Sequence, residues 1–340
     1  MSTLLTYDQA LQEAGENPVL LLGNGFCMAY DKERFSFTSL LDSAVKDKII
    51  KKDSHIYQLF RRLDTADFES VMKLLDQSRQ VVEVYEGEKS LKEELASDGA
   101  NLKDYLVRII TNNHPAHMHE MPKEKKKACL QWLQPYKTIY TLNYDLLLYW
   151  TTLASPTQPY TDGFANTDAS RHEGYVVYQN GGPGFGIHYL HGAMHLFDDG
   201  DGIVKKTYNN SNVLLVTQVK EALEKGIYPI FISEGDSSQK MTKILHSAYL
   251  NHCYKSLKGR GGKDGGSIIL FGTLLKKNDQ HIFDAILRSN LNRIFVGVSD
   301  EGAADHLHLQ VSEINKKLKT NKQKNITLYD YRTTNPWQAS

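Results

Sequence analysis

The stretch that decides the fold is TIYTLNYDLLLYW, residues 138–150. Its first residues have the β-branched and aromatic character of a strand, and the apolar run after Asp145 has the character of a helix. Asn143 and Asp145 stand between the two, at the carboxyl end of the predicted strand. Open α/β sheets bind ligands at this end of their strands, so the stretch predicts both a parallel sheet and the place of a site.

Other short apolar runs, bounded by glycine, asparagine or aspartate, predict further strands. Together with the run that opens the quoted stretch, they cover residues 18–23, 136–141, 187–190, 227–233, 267–272, 292–298 and 325–331. Runs that are almost wholly apolar, such as VLLLG, SIILFG and RIFVGV, are typical of strands buried on both faces of a parallel sheet. We therefore expect an α/β fold with a Rossmann-like parallel sheet.

Residues 38–135 have the pattern of helices, in segments 39–51, 54–62, 68–78, 80–112 and 123–133. This length is far more than a crossover between two parallel strands requires. We interpret the chain as a single domain, residues 1–340, with a core of residues 15–37 and 136–335 and a helical insertion lobe over 38–135. Later helices are predicted over 238–257, 279–289 and 305–318, and a turn-rich region over 155–186 includes a short hairpin near 175–178.

The composition excludes several classes of protein. Forty basic and forty acidic residues give a formal net charge of zero, which argues against nucleic acid or an anionic membrane as a partner. The longest apolar runs fall short of the ~20 residues that a membrane helix needs. The three cysteines are far apart and form no CxxC pair, which excludes a four-cysteine zinc ribbon. Their small, odd number fits a reducing cytoplasm.

The first candidate binding motif follows the predicted strand 18–23. Gly23, Asn24, Gly25 and Phe26 form a Gly-x-Gly turn before a helical pattern. Glycines let the backbone approach a pyrophosphate, and a helix N-terminus supplies N–H donors to it. Met28 stands where a full GxGxxG fingerprint has its third glycine, so a plain tight turn is an equal alternative.

The second motif contains Asn143 and Asp145. An amide can donate and accept hydrogen bonds, so Asn143 is suited to grip a ribose hydroxyl or to position a water. Asp145 is suited to cap the following helix, which is the simpler role for a carboxylate there. Turn and cap chemistry alone would explain both residues.

The third motif is IHYLHGAMHLF, residues 187–197, which holds His188, His191 and His195. His191 ends a predicted strand and is a candidate general base, whereas structural roles are expected for His188 and His195. The spacing of His191 and His195 would suit metal ligands on a helix. The glycine after His191 argues against a helix, and no HExxH glutamate is present, so we expect no metal.

The fourth motif is SIILFGTLLKKNDQHIFDAIL, residues 267–287. Gly272 and Thr273 end its strand, and the Thr273 hydroxyl could contact a ribose or a phosphate. Asp279 is expected to be the N-cap of the next helix, with His281 in the first turn. In the segment 229–244, Glu234 or Asp236 could contact a hydroxyl, and a solvated turn is the alternative.

In chain order, GNGF, TLNYD, LHG and FGT followed by D-x-H-I resemble the sirtuin-like superfamily of NAD-consuming enzymes. The pattern is most similar to bacterial sirtuin-like NAD hydrolases of anti-phage defence. The resemblance covers about 15–35 and 136–300 and leaves out the helical insertion. Cys27 departs from the pattern, because a small hydroxyl residue usually follows the glycine turn.

The resemblance implies roles for individual residues. Asn143 and His191 would be the catalytic pair. NAD would be the substrate, bound by Gly23, Asn24, Gly25 and Phe26 on the side of the pyrophosphate and nicotinamide, by Asp145, and by Gly272 and Thr273 on the adenosine side. The zinc ribbon of protein deacylases is missing, which favours hydrolysis of NAD itself.

The expected function is therefore an NAD+ glycohydrolase that gives nicotinamide and ADP-ribose and depletes NAD in antiviral defence. A non-catalytic subunit that senses NAD or another nucleotide is one alternative, and a protein deacylase or ADP-ribosyltransferase is another. Because free NAD hydrolysis would be toxic, we expect a gate, formed by a regulatory protein subunit or by a homo-oligomer. The insertion is the candidate contact surface.

Overall fold

The computed structural model describes residues 4–155, 160–164, 171–172, 175–179, 185–207, 213–232 and 237–339. The strands in chain order are β1 (Val19–Leu22), β2 (Thr138–Thr141), β3 (Tyr160–Thr161), β4 (Arg171–His172), β5 (Tyr175–Val177), β6 (Phe185–Tyr189), β7 (Leu196–Asp198), β8 (Ile203–Lys206), β9 (Ser267–Phe271), β10 (Arg293–Val298) and β11 (Asn325–Asp330). Seven of them form the central sheet, in the order β11-β10-β9-β1-β2-β6-β3. All pairings in this sheet are parallel, so the expectation of an α/β fold with a parallel sheet is confirmed.

The helices in chain order are α1 (Tyr7–Ala14), α2 (Gly25–Tyr30), α3 (Lys32–Phe35), α4 (Phe37–Lys46), α5 (His55–Arg62), α6 (Phe68–Val84), α7 (Lys89–Asn113), α8 (Lys123–Leu133), α9 (Leu147–Leu153), α10 (Leu215–Glu224), α11 (Ser237–His246), α12 (Ala248–Lys258), α13 (Gln280–Arg288) and α14 (Asp305–Asn315). In the part of the chain that is described, none of them is both long and apolar enough to cross a membrane.

Strand β1 lies at the centre of the sheet because every one of its side chains is apolar and buried. Val19 aligns with Thr138 of β2 on one side and with Ile268 of β9 on the other. Strands β9 and β10 are buried over almost their whole length in the same way. Burial on both faces is what continuous apolar runs require, since a strand that faced water would alternate polar and apolar residues.

Residues 23–137, which are described without a gap, form helices and no strand. The longest pair, α6 and α7, packs side by side through buried residues such as Val71, Leu75 and Leu102. Asp67 accepts a hydrogen bond from the N–H of Glu69 and so fixes the start of α6. This start matters for the site, because Glu69 lies in the first turn of the helix.

Two of the predicted elements are wrong in detail. The segment 227–233 was expected to be a strand of the central sheet. Its described part, 227–232, lies outside that sheet and forms backbone hydrogen bonds with the residues that follow β6. Ile230 donates to the carbonyl of Leu196, and Ile232 donates to the carbonyl of His191. These bonds pair backbone N–H groups of the segment that no strand of the central sheet pairs. They also hold the loop that carries His191.

The helix predicted over 238–257 is two helices, α11 and α12. Ser247 breaks the run, because its extended backbone leaves the helix and its hydroxyl accepts a hydrogen bond from Leu250 N–H as an N-cap. The hairpin expected near 175–178 is present as β4 and β5, and it belongs to a second sheet, antiparallel, in the order β4-β5-β8-β7. Strands β7 and β8 and helix α10 were not foreseen.

Candidate functional site

The predicted motifs lie at the carboxyl ends of neighbouring strands of the central sheet. Strands β9, β1, β2 and β6 are consecutive neighbours in the sheet, and all are parallel, so their carboxyl ends lie side by side. The four motifs from GNGF to FGT follow these four strands. The order of strands also changes direction at β1, and such a point in a parallel sheet is where a crevice for ligands forms.

The glycines of the first and fourth motifs are required by the contact between their own loops. The N–H of Gly25 donates to the carbonyl of Gly272 at 3.0 Å. A Cβ on Gly25 would lie 2.4 Å from the Cα of Gly272, and one on Gly23 would lie 2.5 Å from the Cβ of Thr273. Gly272 also has a φ of +74°, which favours glycine. The two loops therefore form one tightly packed platform at the end of the sheet.

The other predicted binding residues of these two loops are partly or wholly occupied with internal contacts. Asn24 is half-buried and its amide donates to the carbonyl of Phe35 at 3.2 Å. Phe26 is 1% exposed, with its ring centroid 4.7 Å from that of Trp337. Thr273 is half-buried and its hydroxyl accepts from the N–H of Leu275. The contacts of Phe26 place its ring in the hydrophobic core, while Asn24 and Thr273 keep part of their surface.

Asn143 connects the loop after β2 to the glycine platform. Its side-chain nitrogen donates to the carbonyl of Gly23 at 3.0 Å, and its backbone N–H donates to the hydroxyl of Thr141. The residue is half-buried. These bonds hold the amide at the carboxyl edge, next to the central strand of the sheet.

Asp145 is buried, and both of its carboxylate oxygens have partners. Oδ1 accepts from the N–H of Leu147, the first residue of α9, at 2.7 Å. Leu146 occupies the N-cap position of α9, so Asp145 bonds the first turn from one residue before the expected place. Oδ2 accepts from the thiol of Cys27 at 2.7 Å. Burial and the charge of Asp145 raise the pKa of the Cys27 thiol well above its ordinary value. Cys27 is therefore a protonated donor that orients Asp145, not a nucleophile.

His191 follows β6 and is 2% exposed. Its Nε2 lies 3.0 Å from Nε2 of His281, which stands in the first turn of α13 as predicted. The ring centroids are 5.2 Å apart and the planes differ by 25°, so the rings meet through their nitrogen edges. The next residue, Gly192, has a φ of +85°, and a Cβ there would overlap the carbonyl of Ile230.

His281 is held in turn by Ser237, at the start of α11. The Ser237 hydroxyl accepts from the backbone N–H of His281 at 2.6 Å and lies 3.1 Å from its Nδ1. Ser237, His281 and His191 thus form a continuous chain of polar contacts from α11 through α13 to the end of β6.

A buried ion cluster adjoins the two histidines. Lys240 on α11 is wholly buried, and its ammonium lies 2.7 Å from Oε2 of Glu69 and 3.2 Å from Oδ1 of Asp279. That same Asp279 oxygen lies 3.9 Å from Nε2 of His191. The hydroxyl of Tyr144 lies 3.2 Å from Oε1 of Glu69. Asp279 occupies the expected N-cap position of α13, and its carboxylate accepts a hydrogen bond from the ammonium of Lys240.

The cluster sets the charges of the groups around it. Burial lowers the pKa of Lys240, but Glu69 and Asp279 outweigh this effect and raise it, so the ammonium is charged. Burial raises the pKa of Glu69 to about 7, because it outweighs the lowering effect of Lys240 and because the charge of Asp279 acts in the same direction as burial. Burial and the charge of Lys240 lower the pKa of His191 well below its ordinary value, and burial together with His191 lowers that of His281 to about 3. Both rings are therefore neutral at neutral pH, and one of them donates an N–H to the unprotonated Nε2 of the other.

His191, His281 and Asp279 are the group in the described chain that could hold a metal ion, with ligand atoms within 4.8 Å of one another. Two imidazoles that share an ion both point at it, whereas these two point at each other. The ammonium of Lys240, bonded to Asp279, would also repel a cation. The arrangement therefore fits a hydrogen bond between the rings better than a metal site.

Sequence reasoning missed Glu69, Ser237 and Lys240 as members of the site. Glu69 lies in the helical region and looks like an ordinary acidic residue in a first helical turn. Lys240 lies in the segment 229–244, where only Glu234 and Asp236 were considered as contacts. The carboxylates of Glu234 and Asp236, considered in the same segment, lie outside the described residues.

The remaining histidines of the third motif are packed inside the protein. His188 stacks on the ring of Tyr140 at 4.8 Å, and His195 stacks on Tyr149 at 4.5 Å. Both contacts agree with the structural roles that were expected for them. Neither residue touches the cluster around Lys240 in the contacts that the described residues make.

The fold and the site define the class of the protein: an α/β protein with a buried polar cluster at the carboxyl ends of a parallel sheet. The chain belongs to the family described as a domain of unknown function, DUF4917, whose model matches residues 20–337. This match includes the helices between β1 and β2 as well as the sheet. A search of curated proteins finds no match.

Proposed function

We propose that this protein is a sirtuin-like NAD+ glycohydrolase. The observation that carries the proposal is the register of β2 and β6, in which Thr141 pairs with Tyr189. Asn143 and His191 each stand two residues beyond this pair, on neighbouring strands. The amide of Asn143 and the imidazole of His191 therefore belong to equivalent positions beyond the carboxyl ends of β2 and β6. This placement supports the resemblance to sirtuin-like enzymes, in which these two residues would be the catalytic pair.

The reaction is the cleavage of the bond between nicotinamide and ribose by water. Nicotinamide leaves with the bonding electron pair, positive charge develops on the ribose, and water attacks to give ADP-ribose and a proton. Asn143 orients the ribose and the water, and His191 accepts the proton. The carboxylate of Asp279, 3.9 Å from His191, stabilises the imidazolium that forms.

Release of nicotinamide by an Asn143→Ala variant tests the proposal. We expect kcat to fall by about 10²–10⁴-fold, the range typical of a group that acts in the transition state. Asn325→Ala is the matched control, because Asn325 is exposed at the first position of β11, at the amino end of the parallel strands, and should leave the rate unchanged. An Asn143→Ala protein that is folded and as active as the wild type would contradict the proposal.

One observation favours the alternative of an NAD sensor without turnover. His191 is only 2% exposed, so a substrate reaches it only after a change in the side chains around it. A sensor would bind NAD+ tightly in calorimetry and release no nicotinamide at any protein concentration. Free nicotinamide and ADP-ribose in equal amounts would exclude the sensor.

The proposal includes a gate, because uncontrolled hydrolysis of NAD would kill the cell that makes the protein. In an anti-phage system, infection would release the gate and NAD depletion would stop phage growth. The gate is a regulatory subunit or association of several copies, with the helical region 38–135 as the contact surface. Full activity of the purified chain at low concentration would contradict gating by a partner.

A further inference from the structure

We propose that His281 is a positioning residue that holds His191 in the tautomer with a proton on Nε2 and a lone pair on Nδ1. The inference rests on the proposed function in one respect, since it assigns the nitrogen that receives the proton in NAD cleavage. Its structural part is independent of that function, because it concerns a hydrogen bond that the folded protein makes without any ligand.

The contact between the two rings determines which nitrogen of His191 is left to accept a proton from the substrate or from water. Nε2 of His191 faces Nε2 of His281 at 3.0 Å, so this edge of the ring is taken. A proton from a ribose hydroxyl or from water can therefore be accepted only at Nδ1. In the accepting step the O–H bond breaks, an N–H bond forms at Nδ1, and the ring becomes an imidazolium.

The surroundings of the pair favour a proton on Nε2 of His191. Oδ1 of Asp279 lies 3.9 Å from this nitrogen, and a carboxylate stabilises an N–H group that faces it. His281 must then accept through its own Nε2 and carry its proton on Nδ1, which lies 3.1 Å from the Ser237 hydroxyl. A hydroxyl oxygen accepts two hydrogen bonds, so Ser237 can take this one in addition to the backbone N–H of His281.

In this arrangement His191 is the base, and His281 is a hydrogen-bond acceptor on the side of the ring opposite to the reacting nitrogen. In serine proteases a buried carboxylate keeps the catalytic histidine in the productive tautomer, and its loss costs activity although the residue never touches substrate. Here a neutral imidazole takes that position. Burial of both rings protects the bond from competition by water, because His191 is 2% and His281 is 3% exposed.

The experiment compares His281→Phe with His281→Gln in the full-length chain. Phenylalanine keeps the ring and removes the acceptor, whereas the glutamine side chain can still accept from Nε2 of His191. We expect kcat for nicotinamide release to fall by about 10–100-fold in His281→Phe, with KM for NAD+ unchanged, and to recover in His281→Gln. Equal losses in both variants, or a change in KM alone, would overturn the positioning role.

The spectra of ¹⁵N-labelled histidine give a second measurement that needs no NAD. Protein dialysed against a chelator should show His191, assigned by comparison with His191→Asn, as the tautomer with the proton on Nε2. His281→Phe should lose this pattern. A wild-type His191 with its proton on Nδ1, or one that His281→Phe leaves unchanged, would overturn the inference. The expected spectra without any nicotinamide release would refute the proposed function and leave the tautomer assignment standing.

Discussion

The ammonium of Lys240 lies out of reach of water and depends on two carboxylates. Replacement by methionine keeps the length of the side chain but leaves Glu69 and Asp279 facing each other without a cation. Removal of one partner from a buried ion pair costs about 3–5 kcal/mol, so Lys240→Met should lower the free energy of unfolding by that amount. Urea denaturation at neutral pH measures this loss.

Two comparisons make the Lys240 prediction specific. Lys316→Met breaks an exposed ion pair with Glu313 and should cost less than about 1 kcal/mol. Lys240→Met combined with Glu69→Gln should recover part of the loss, because one of the two unpaired charges is then gone. A Lys240→Met protein as stable as the Lys316→Met protein would show that the cluster contributes nothing to the fold.

His195 makes the stability of the protein depend on pH. It is wholly buried, and neither ring nitrogen has a hydrogen-bond partner among the described residues. Burial and the charge of Lys205 lower its pKa well below its ordinary value. The unfolded chain binds a proton at His195 near pH 6.5, and the folded protein does not. The contribution of neutral His195 to the free energy of unfolding is therefore fully present above pH 6.5 and is lost as the pH falls below it.

The wild type should therefore lose stability between pH 6.5 and pH 5, by up to about 1.4 kcal/mol per pH unit for each such histidine. His195→Phe keeps an aromatic ring between Tyr149 and Tyr189 and cannot be protonated. The variant should show a shallower loss over the same range in urea titrations. The same slope in both proteins would mean that His195 does not remain neutral in the folded state.

At the scale of elements, the loops after β1 and β9 form the platform on which the site is built. Gly25→Ala would place a methyl group 2.4 Å from the Cα of Gly272, where only backbone could move away. Overpacking of this kind costs about 1–3 kcal/mol. We expect Gly25→Ala to lower the thermal midpoint of unfolding accordingly.

Helix α7 supplies the matched control for this substitution. A Cβ on Gly99 would meet nothing within 4 Å, and Gly99 lies inside a regular helix. Gly99→Ala should therefore stabilise the protein, by about 0.5–1 kcal/mol. If Gly25→Ala were as harmless as Gly99→Ala, the close contact between the two loops would not exist in solution.

The elements show how far a sequence can predict a fold. The central strands were recognisable because burial on both faces requires continuous apolar runs, as in SIILF of β9. The segment 227–232 is also apolar in part, but its partners are the residues after β6, and nothing in its own sequence indicates them. The stop at Ser247 was missed because serine is tolerated inside a helix and caps one only when the backbone turns there.

At the scale of the whole molecule, the candidate site depends on contacts between distant parts of the chain. The placement of Asn143 and His191 at the carboxyl ends of the sheet could be predicted, because each follows a recognisable strand. The partners of Lys240 could not, since Glu69 and Asp279 stand 171 and 39 positions away, and each has an ordinary local role at the start of a helix. Glu69 also connects the helical region between β1 and β2 directly to the sheet edge, so movement of that region would reach the site.

The most direct test of the central claim is the amount of NAD+ that remains after incubation with the purified protein, measured over a wide range of protein concentrations. The account predicts that the wild type converts NAD+ into equal amounts of nicotinamide and ADP-ribose. His191→Ala should lose this activity by about 10²–10⁴-fold, while the exposed control His308→Ala keeps it. Cleavage of NAD+ by His191→Ala at the wild-type rate would contradict the account. So would NAD+ that stays intact at every concentration of the wild type, both alone and with a lysate of phage-infected cells, which supplies an activating subunit.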